Sequence, residues 1–213
     1  MNPSPAPSRV ALLVIDVQND FCPGGALAVP DGDAVVAPIN ALIARAGTVI
    51  LTQDWHPAGH ASFASQHAGT APFSTASFSY GAQTLWPDHC IQGSTGAAFH
   101  AGLHIDTAQL VLRKGFRPTI DSYSAFREND RSTSTGLAGY LSDRGIDTVV
   151  LCGLALDFCV ADSAVDARAA GLRCQVVTEA CRAIDLDGSL AAASSRMQAA
   201  GVEMVDSASA ALG

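Results

Sequence analysis

Lysine is nearly absent from this chain. Of twelve basic residues eleven are arginine, and Lys114 is the only lysine among 213 residues. Positive charge is scarce altogether, with a formal net charge of -8 and a charged fraction of only 15%. That balance argues against nucleic-acid and membrane partners and suits a protein that handles small molecules. No apolar run approaches the ~20 residues that a membrane helix needs. The six cysteines (22, 90, 152, 159, 174 and 181) include no Cys-x-x-Cys pair and no disulfide framework, a usage that fits a reducing cytoplasm. Met1 to Ser8 holds three prolines and no apolar segment of a signal peptide. A disordered tail is expected over residues 1–9, and one domain over 10–213. What the chain has in quantity is apolar side chain, 48% of the total, enough for one sizeable core.

Val10 to Ile15 is a continuous apolar run of the kind that a strand buried on both faces shows. Similar short runs recur at Thr48 to Thr52, Gln109 to Leu112, Thr148 to Leu151, Cys174 to Val177 and Val202 to Val205. Helical patterns stand between several of them: Ala34 to Ala46, with Pro38 marking a first turn, Gly136 to Arg144, Ala161 to Ala170 and Leu190 to Ala200. From residue 55 to about 105 no strong period emerges, and residues 116–132 read as loop. Strands alternating with helices predict an α/β fold: one doubly wound, three-layer domain with a mainly parallel six-stranded sheet. In such sheets ligands bind beyond the carboxyl ends of the strands.

Chemistry-bearing residues cluster at those ends. Asp16 follows the first strand, Asp54 and His56 the second, Lys114 the third, and Cys159 follows a small-residue turn after the fourth. A cysteine where a strand turns into a helix meets unpaired amides and the positive helix end, which lower a thiol pKa and favour a nucleophile. The bland alternative is a small buried apolar residue. Asp16 can accept the thiol proton, or it can cap a turn as many such aspartates do. Lysine is compact and can shift its pKa when buried, so a lone lysine among arginines suggests work a guanidinium cannot do; otherwise it is an ordinary surface residue. The turn could aim the amides of Ala155 and Cys159 at one point and stabilise an oxyanion.

All six histidines (56, 60, 67, 89, 100 and 104) fall within one quarter of the chain, with both tryptophans, 55 and 86, beside members of the set. Asp54-x-His56 places two ligand-type side chains on one face of an extended segment. With His89, of Trp86-Pro87-Asp88-His89-Cys90, they would suit one divalent metal ion such as zinc, iron or manganese. Hydrogen-bonded core histidines are the alternative. His60 is either a further ligand or a loop residue; His67, His100 and His104 read as surface groups. Phe21 and Trp86 could wall a slot for a flat ring, or simply fill the core.

Taken together, Leu-Val-Ile-Asp16-Val-Gln-Asn-Asp-Phe21, Gln-Asp54-Trp-His56-Pro, Trp86-Pro-Asp-His89-Cys, Lys114-Gly, Asp121-Ser-Tyr-Ser-Ala-Phe126 and Gly153-Leu-Ala-Leu-Asp-Phe-Cys159-Val resemble the nicotinamidases and pyrazinamidases of the isochorismatase-like cysteine hydrolase superfamily. The resemblance implies hydrolysis of nicotinamide to nicotinate and ammonia through a cysteine thioester, as a step of NAD salvage. It implies a triad of Asp16, Lys114 and Cys159, and metal ligands Asp54, His56 and His89. It also implies oxyanion amides at Ala155 and Cys159, a cis peptide at Leu154-Ala155, and Phe21, Trp86 and Leu154 against the substrate. The expected partner is the small molecule alone, with no nucleic acid and no membrane, in a monomer or homo-oligomer. Two positions depart from the family's pattern: Leu156 stands where threonine is usual, and Phe158 where tyrosine is common. Both lose a hydroxyl but no catalytic group. Rival readings are a metal-hydroxide hydrolase with a structural Cys159, a cysteine hydrolase of carbamoyl compounds, and an inactive binding module. The Asp-x-His piece disfavours the second, and the acid, lysine and cysteine together disfavour the third.

Overall fold

The computed structural model describes residues 9–212. The tail expected over residues 1–9 therefore lies outside the described residues except for Arg9, whose carbonyl accepts the amides of Asp147 and Thr148. Six runs of apolar or β-branched residues form one sheet: β1 (Val10–Ile15), β2 (Val49–Asp54), β5 (Leu110–Lys114), β6 (Thr148–Gly153), β7 (Arg173–Cys181) and β8 (Glu203–Val205). Their spatial order is β5-β2-β1-β6-β7-β8, and every neighbouring pair is parallel. The central strands carry no alternation: β2 and β6 are buried along their whole length, and β1 from Ala11 onward. Edge strand β5 alternates between partly buried and exposed positions until it reaches Lys114.

Four helices connect the strands: α1 (Val36–Ile43), α2 (Leu137–Asp143), α3 (Ala161–Ala169) and α4 (Ser189–Ala199). The chain winds outward from β1 to β2 and β5, then crosses to β6 and winds outward the other way. Right-handed crossovers in opposite directions put their helices on opposite faces, which gives three layers in a single domain. Pro38 lies in the first turn of α1, where its missing N–H costs nothing.

Two boundaries differ from the sequence reading in ways that matter. β2 and β5 run on through Asp54 and Lys114, and these two residues pair directly in register. The segment read as irregular contains an antiparallel hairpin, β3 (Thr75–Phe78) with β4 (Gly81–Thr84). Those short strands are rich in Ser, Thr and Ala and are half exposed, so no hydrophobic period marks them.

The winding reverses between β1 and β6. At that place the carboxyl ends of neighbouring strands splay apart and open a crevice. Asp16 leaves β1 on one side of it, and the turn Gly153–Cys159 leaves β6 on the other.

Candidate active site

Along the carboxyl rim the strand ends stand in the order β5, β2, β1, β6, which brings Lys114, Asp54, Asp16 and the Cys159 turn together in sequence across the sheet. Asp16 has a left-handed backbone (φ 46°) that turns its carboxylate back over the sheet. Its amide donates to Thr52 Oγ1 at 3.1 Å, and the Thr52 hydroxyl donates to Asp16 Oδ1 at 2.6 Å. Opposite, a π-helical turn over Leu156–Val160 leads into α3, with the amides of Phe158 and Val160 both donating to Ala155 O. Gly153 is required before it: φ is 120°, and a Cβ there would overlap the Ile15 carbonyl.

Lys114 is fully buried, and its ammonium is the hub. Nζ lies 2.8 Å from Asp16 Oδ2 and 2.5 Å from Asp54 Oδ1. It also donates to Ser122 O at 2.8 Å and to Cys159 Sγ at 3.3 Å. Burial alone would strip its proton, but Asp16 and Asp54 outweigh burial and hold the amine charged. Burial raises the Asp16 carboxyl, with Asp54 adding to the effect and Lys114 opposing it. Asp16 Oδ2 meets the Lys114 ammonium at 2.8 Å, and the carboxylate also lies within hydrogen-bonding influence of the Cys159 thiol. One oxygen each of Asp16 and Asp54 lies within 4.8 Å of Cys159 Sγ.

Here the sequence reading needs correcting. A lowered thiol pKa was expected from the strand-to-helix turn, yet burial pushes the Cys159 thiol well up and Lys114 only partly offsets it. The sulfur rests as a thiol and needs a base. Of the two carboxylates near the sulfur, Asp54 is held ionised by Lys114 and the histidines, whereas Asp16 is made more basic by its own burial and is the better base.

Cys159 opens on a narrow cavity. Phe21, Leu27, Trp86, Tyr123, Phe158 and Ile184 form most of its wall, with Asp54, His89, Asp121 and Ala155 at its polar side. Trp86 Nε1 donates to Tyr123 Oη at 3.0 Å, and Trp86 and Phe158 meet edge-on at 5.0 Å between centroids. These bonds fix the ring planes of a flat, apolar slot. Leu154 is the exception among the expected substrate contacts: it is wholly buried and absent from the lining, because its side chain packs into the core while Ala155 faces the cavity. The peptide between Leu154 and Ala155 is cis. Neither the Ala155 nor the Cys159 amide donates to a group outside the turn.

Asp54, His56 and His89 come together beside the cavity, with Asp54 and His89 on its wall. Their ligand atoms fall within 4.8 Å of one another, with Asp54 Oδ2 lying 3.6 Å from His56 Nε2 and 3.8 Å from His89 Nε2. His56 Nδ1 bonds Gly115 O at 2.8 Å, and His89 Nδ1 bonds Pro87 O at 2.8 Å. A carbonyl can only accept, so each Nδ1 carries a hydrogen; each Nε2 can donate to Asp54 when its ring is protonated, a form that burial opposes but Asp54 favours at His56, and presents a lone pair to the gap when neutral. Burial alone would raise the Asp54 carboxyl, but Lys114, His56 and His89 hold it well below the usual carboxylate range. A buried carboxylate and two imidazoles with aligned lone pairs fit a divalent ion. Gly115 (φ 66°) permits the arrangement, since a Cβ there would overlap the His56 ring.

His60 does not join this set. Its Nδ1 is bonded to Ser62 Oγ at 2.7 Å and its Nε2 to Ile120 O at 3.3 Å, so both ring nitrogens are engaged. His60, His56 and Asp121 do lie close enough to form a second trio. His104 is exposed as expected, whereas His67 and His100 are half buried. Sequence reasoning missed Thr52, Gln18, Tyr123 and Ile184. Thr52 and Gln18 had a signal, as polar residues just beyond buried apolar runs, and Tyr123 stands within the Asp121-Ser-Tyr-Ser-Ala-Phe126 motif; Ile184 had none.

The isochorismatase-domain family matches residues 10–209. A nicotinamidase from Acinetobacter baylyi is 55% identical over 200 residues, covering 94% of each chain. A solved Acinetobacter baumanii nicotinamidase/pyrazinamidase is 54% identical with a TM-score of 0.94, covering 95% of this chain and 98% of that one. The Pyrococcus horikoshii pyrazinamidase, solved in complex with zinc, is 30% identical with a TM-score of 0.75, covering 93% of this chain and 99% of that one. With the family model spanning nearly the whole described chain and nicotinamidases 54–55% identical across it, the protein belongs to the isochorismatase-domain family of hydrolases.

Proposed function

We propose that this protein hydrolyses nicotinamide to nicotinate and ammonia through a thioester on Cys159, as a cytoplasmic step of NAD salvage. One observation carries the reading: a buried ammonium links Asp16 to the Cys159 sulfur on the wall of an aromatic slot. The ring lies between Phe21, Trp86 and Phe158, with its carboxamide over Cys159. Asp16 takes the thiol proton as sulfur attacks the carboxamide carbon, and the Ala155 and Cys159 amides hold the oxyanion. The C–N bond then breaks, and the proton on Asp16 passes to the departing nitrogen, which leaves as ammonia. Water next gives a proton to Asp16 and attacks the thioester. The C–S bond breaks, the thiolate recovers the proton, and nicotinate leaves. Lys114 stays charged throughout and holds the two carboxylates and the sulfur in place.

Asp54, His56 and His89 would hold a divalent ion, whose chemistry when bound is Lewis-acid attraction of the ring nitrogen. The residues around it orient the ring so that the carboxamide meets sulfur in line, and orientation of this kind can supply a large part of a rate acceleration. Ammonia release on adding nicotinamide tests the reading. Cys159→Ala should bring release to background while leaving nicotinamide binding by calorimetry within about threefold of wild type. Appreciable turnover by Cys159→Ala would remove the thioester from the mechanism.

A further inference from the structure

The structure assigns a positioning role to Asp157, which neither the triad, the oxyanion amides nor the metal ligands account for. Asp157 lies in the π-helical turn two residues before the nucleophile and is almost wholly buried. It points away from the cavity, into the segment that follows β7. Oδ1 accepts the Ile184 amide at 3.0 Å, and Oδ2 accepts the Asp185 amide at 2.8 Å and the Ser189 hydroxyl at 2.5 Å. The Leu156 amide adds a further tie to Arg182 O at 2.7 Å.

That segment needs such a clamp. Asp185 and Asp187 adopt left-handed backbone (φ 55° and 49°), a region that aspartate enters more readily than most residues but still at some cost, and Gly188 follows at 82°. Within the segment Asp185 Oδ1 accepts the Leu190 amide at 3.3 Å, but the Ile184 amide is held by Asp157. Yet Ile184, only partly buried, supplies a wall of the slot across from Phe158 and Cys159. Asp157 therefore ties a ring-contacting residue to the turn that bears the nucleophile. Both carboxylate oxygens are used, so asparagine cannot replace it: its amide nitrogen would face either the Ile184 amide or the Asp185 amide, donor against donor. The nucleophile turn has its own fastening, in the Phe158 and Val160 bonds to Ala155 O. Loss of the clamp should thus loosen the ring's binding more than the sulfur's placement.

The inference rests on the nicotinamide reading and is tested with the metal-loaded enzyme. Asp157→Asn should raise KM for nicotinamide about tenfold, with kcat and the rate of Cys159 alkylation each within about threefold of wild type. Ile184→Ala should raise KM by a similar factor. In the Ile184→Ala background, Asp157→Asn should then add less than about a twofold change, since the clamp has lost what it positions. Ser189→Ala, which removes one bond of three, should raise KM about threefold and serves as the test should Asp157→Asn not fold. Unchanged KM in Ser189→Ala and in any folded Asp157→Asn protein overturns the clamp, as does a full multiplicative effect in the Ile184→Ala background. Wild-type protein inert toward nicotinamide overturns the substrate reading instead.

Discussion

Asp16 must be ionised to act as a base, while burial and the nearby Asp54 charge favour its protonated form against the pull of Lys114. The sign follows: raising pH through the Asp16 pKa creates the base, and lowering it removes the base. Because that pKa is raised, kcat/KM should fall on the acid side at a pH above the ordinary aspartate range. A pH profile of nicotinamide hydrolysis checks this, and an acid limb near pH 4, the ordinary aspartate region, would contradict it. At this scale the sequence was unevenly legible. Asp16, Lys114 and Cys159 each lie at or just past a strand end, so strand recognition was enough to gather them. Leu154 was misplaced because neighbouring side chains in a tight turn diverge, and no spacing rule says which of Leu154 and Ala155 faces a ligand. The thiol's pKa was misjudged for a related reason. Helix ends are visible in a sequence, whereas the depth of burial that outweighs them here is set by the assembled fold.

Tips of adjacent strands are held to one another by side chains that imitate backbone. Gln18, just past β1, donates Nε2 to Asp54 O at 2.9 Å and accepts the Asp54 amide on Oε1 at 2.8 Å. The same Nε2 bonds Ala97 O at 2.9 Å. This carboxamide prolongs the β1–β2 pairing by one rung beyond the last strand residues and fixes the backbone of Asp54, the carboxylate proposed to hold the metal. Gln18→Ala should weaken zinc binding by about tenfold to a hundredfold, measured by competition with a chelator dye. Zinc affinity unchanged in the variant would show that Asp54 is held by Lys114 alone. β1, β2 and β6 were readable because parallel strands buried on both faces are short, unbroken apolar runs, and β5, β7 and β8 because each still holds a short apolar or β-branched run. The β3–β4 hairpin was not, because it is half solvated and its hydrogen bonds, not its side chains, define it. Strand ends were underestimated at Asp54 and Lys114 for the opposite reason: charged residues rarely close a buried strand, and they do so here only because each neutralises the other.

Considered whole, the molecule buries two carboxylates, an ammonium, a thiol and two imidazoles beside one another at the switch point of its sheet. Such a concentration of polar groups is costly to fold around unless every member has a partner. A divalent ion held as proposed by Asp54, His56 and His89 would bind the folded chain alone, so at a hundredfold excess over Kd it would add about 2.7 kcal/mol of stability. Chelation should lower Tm by several degrees and abolish nicotinamide hydrolysis, and zinc should restore both. A Tm indifferent to chelator, followed by scanning calorimetry, would argue that the three side chains hold no ion. Among the described residues no helix is long and apolar enough to cross a membrane. A last consequence follows from the only lysine being wholly enclosed at the hub of the site. Acylating reagents that seek amines will find no side-chain target on the intact protein. Modification at position 114 will therefore register each opening of the catalytic centre, a built-in chemical tally of its breathing readable by mass spectrometry.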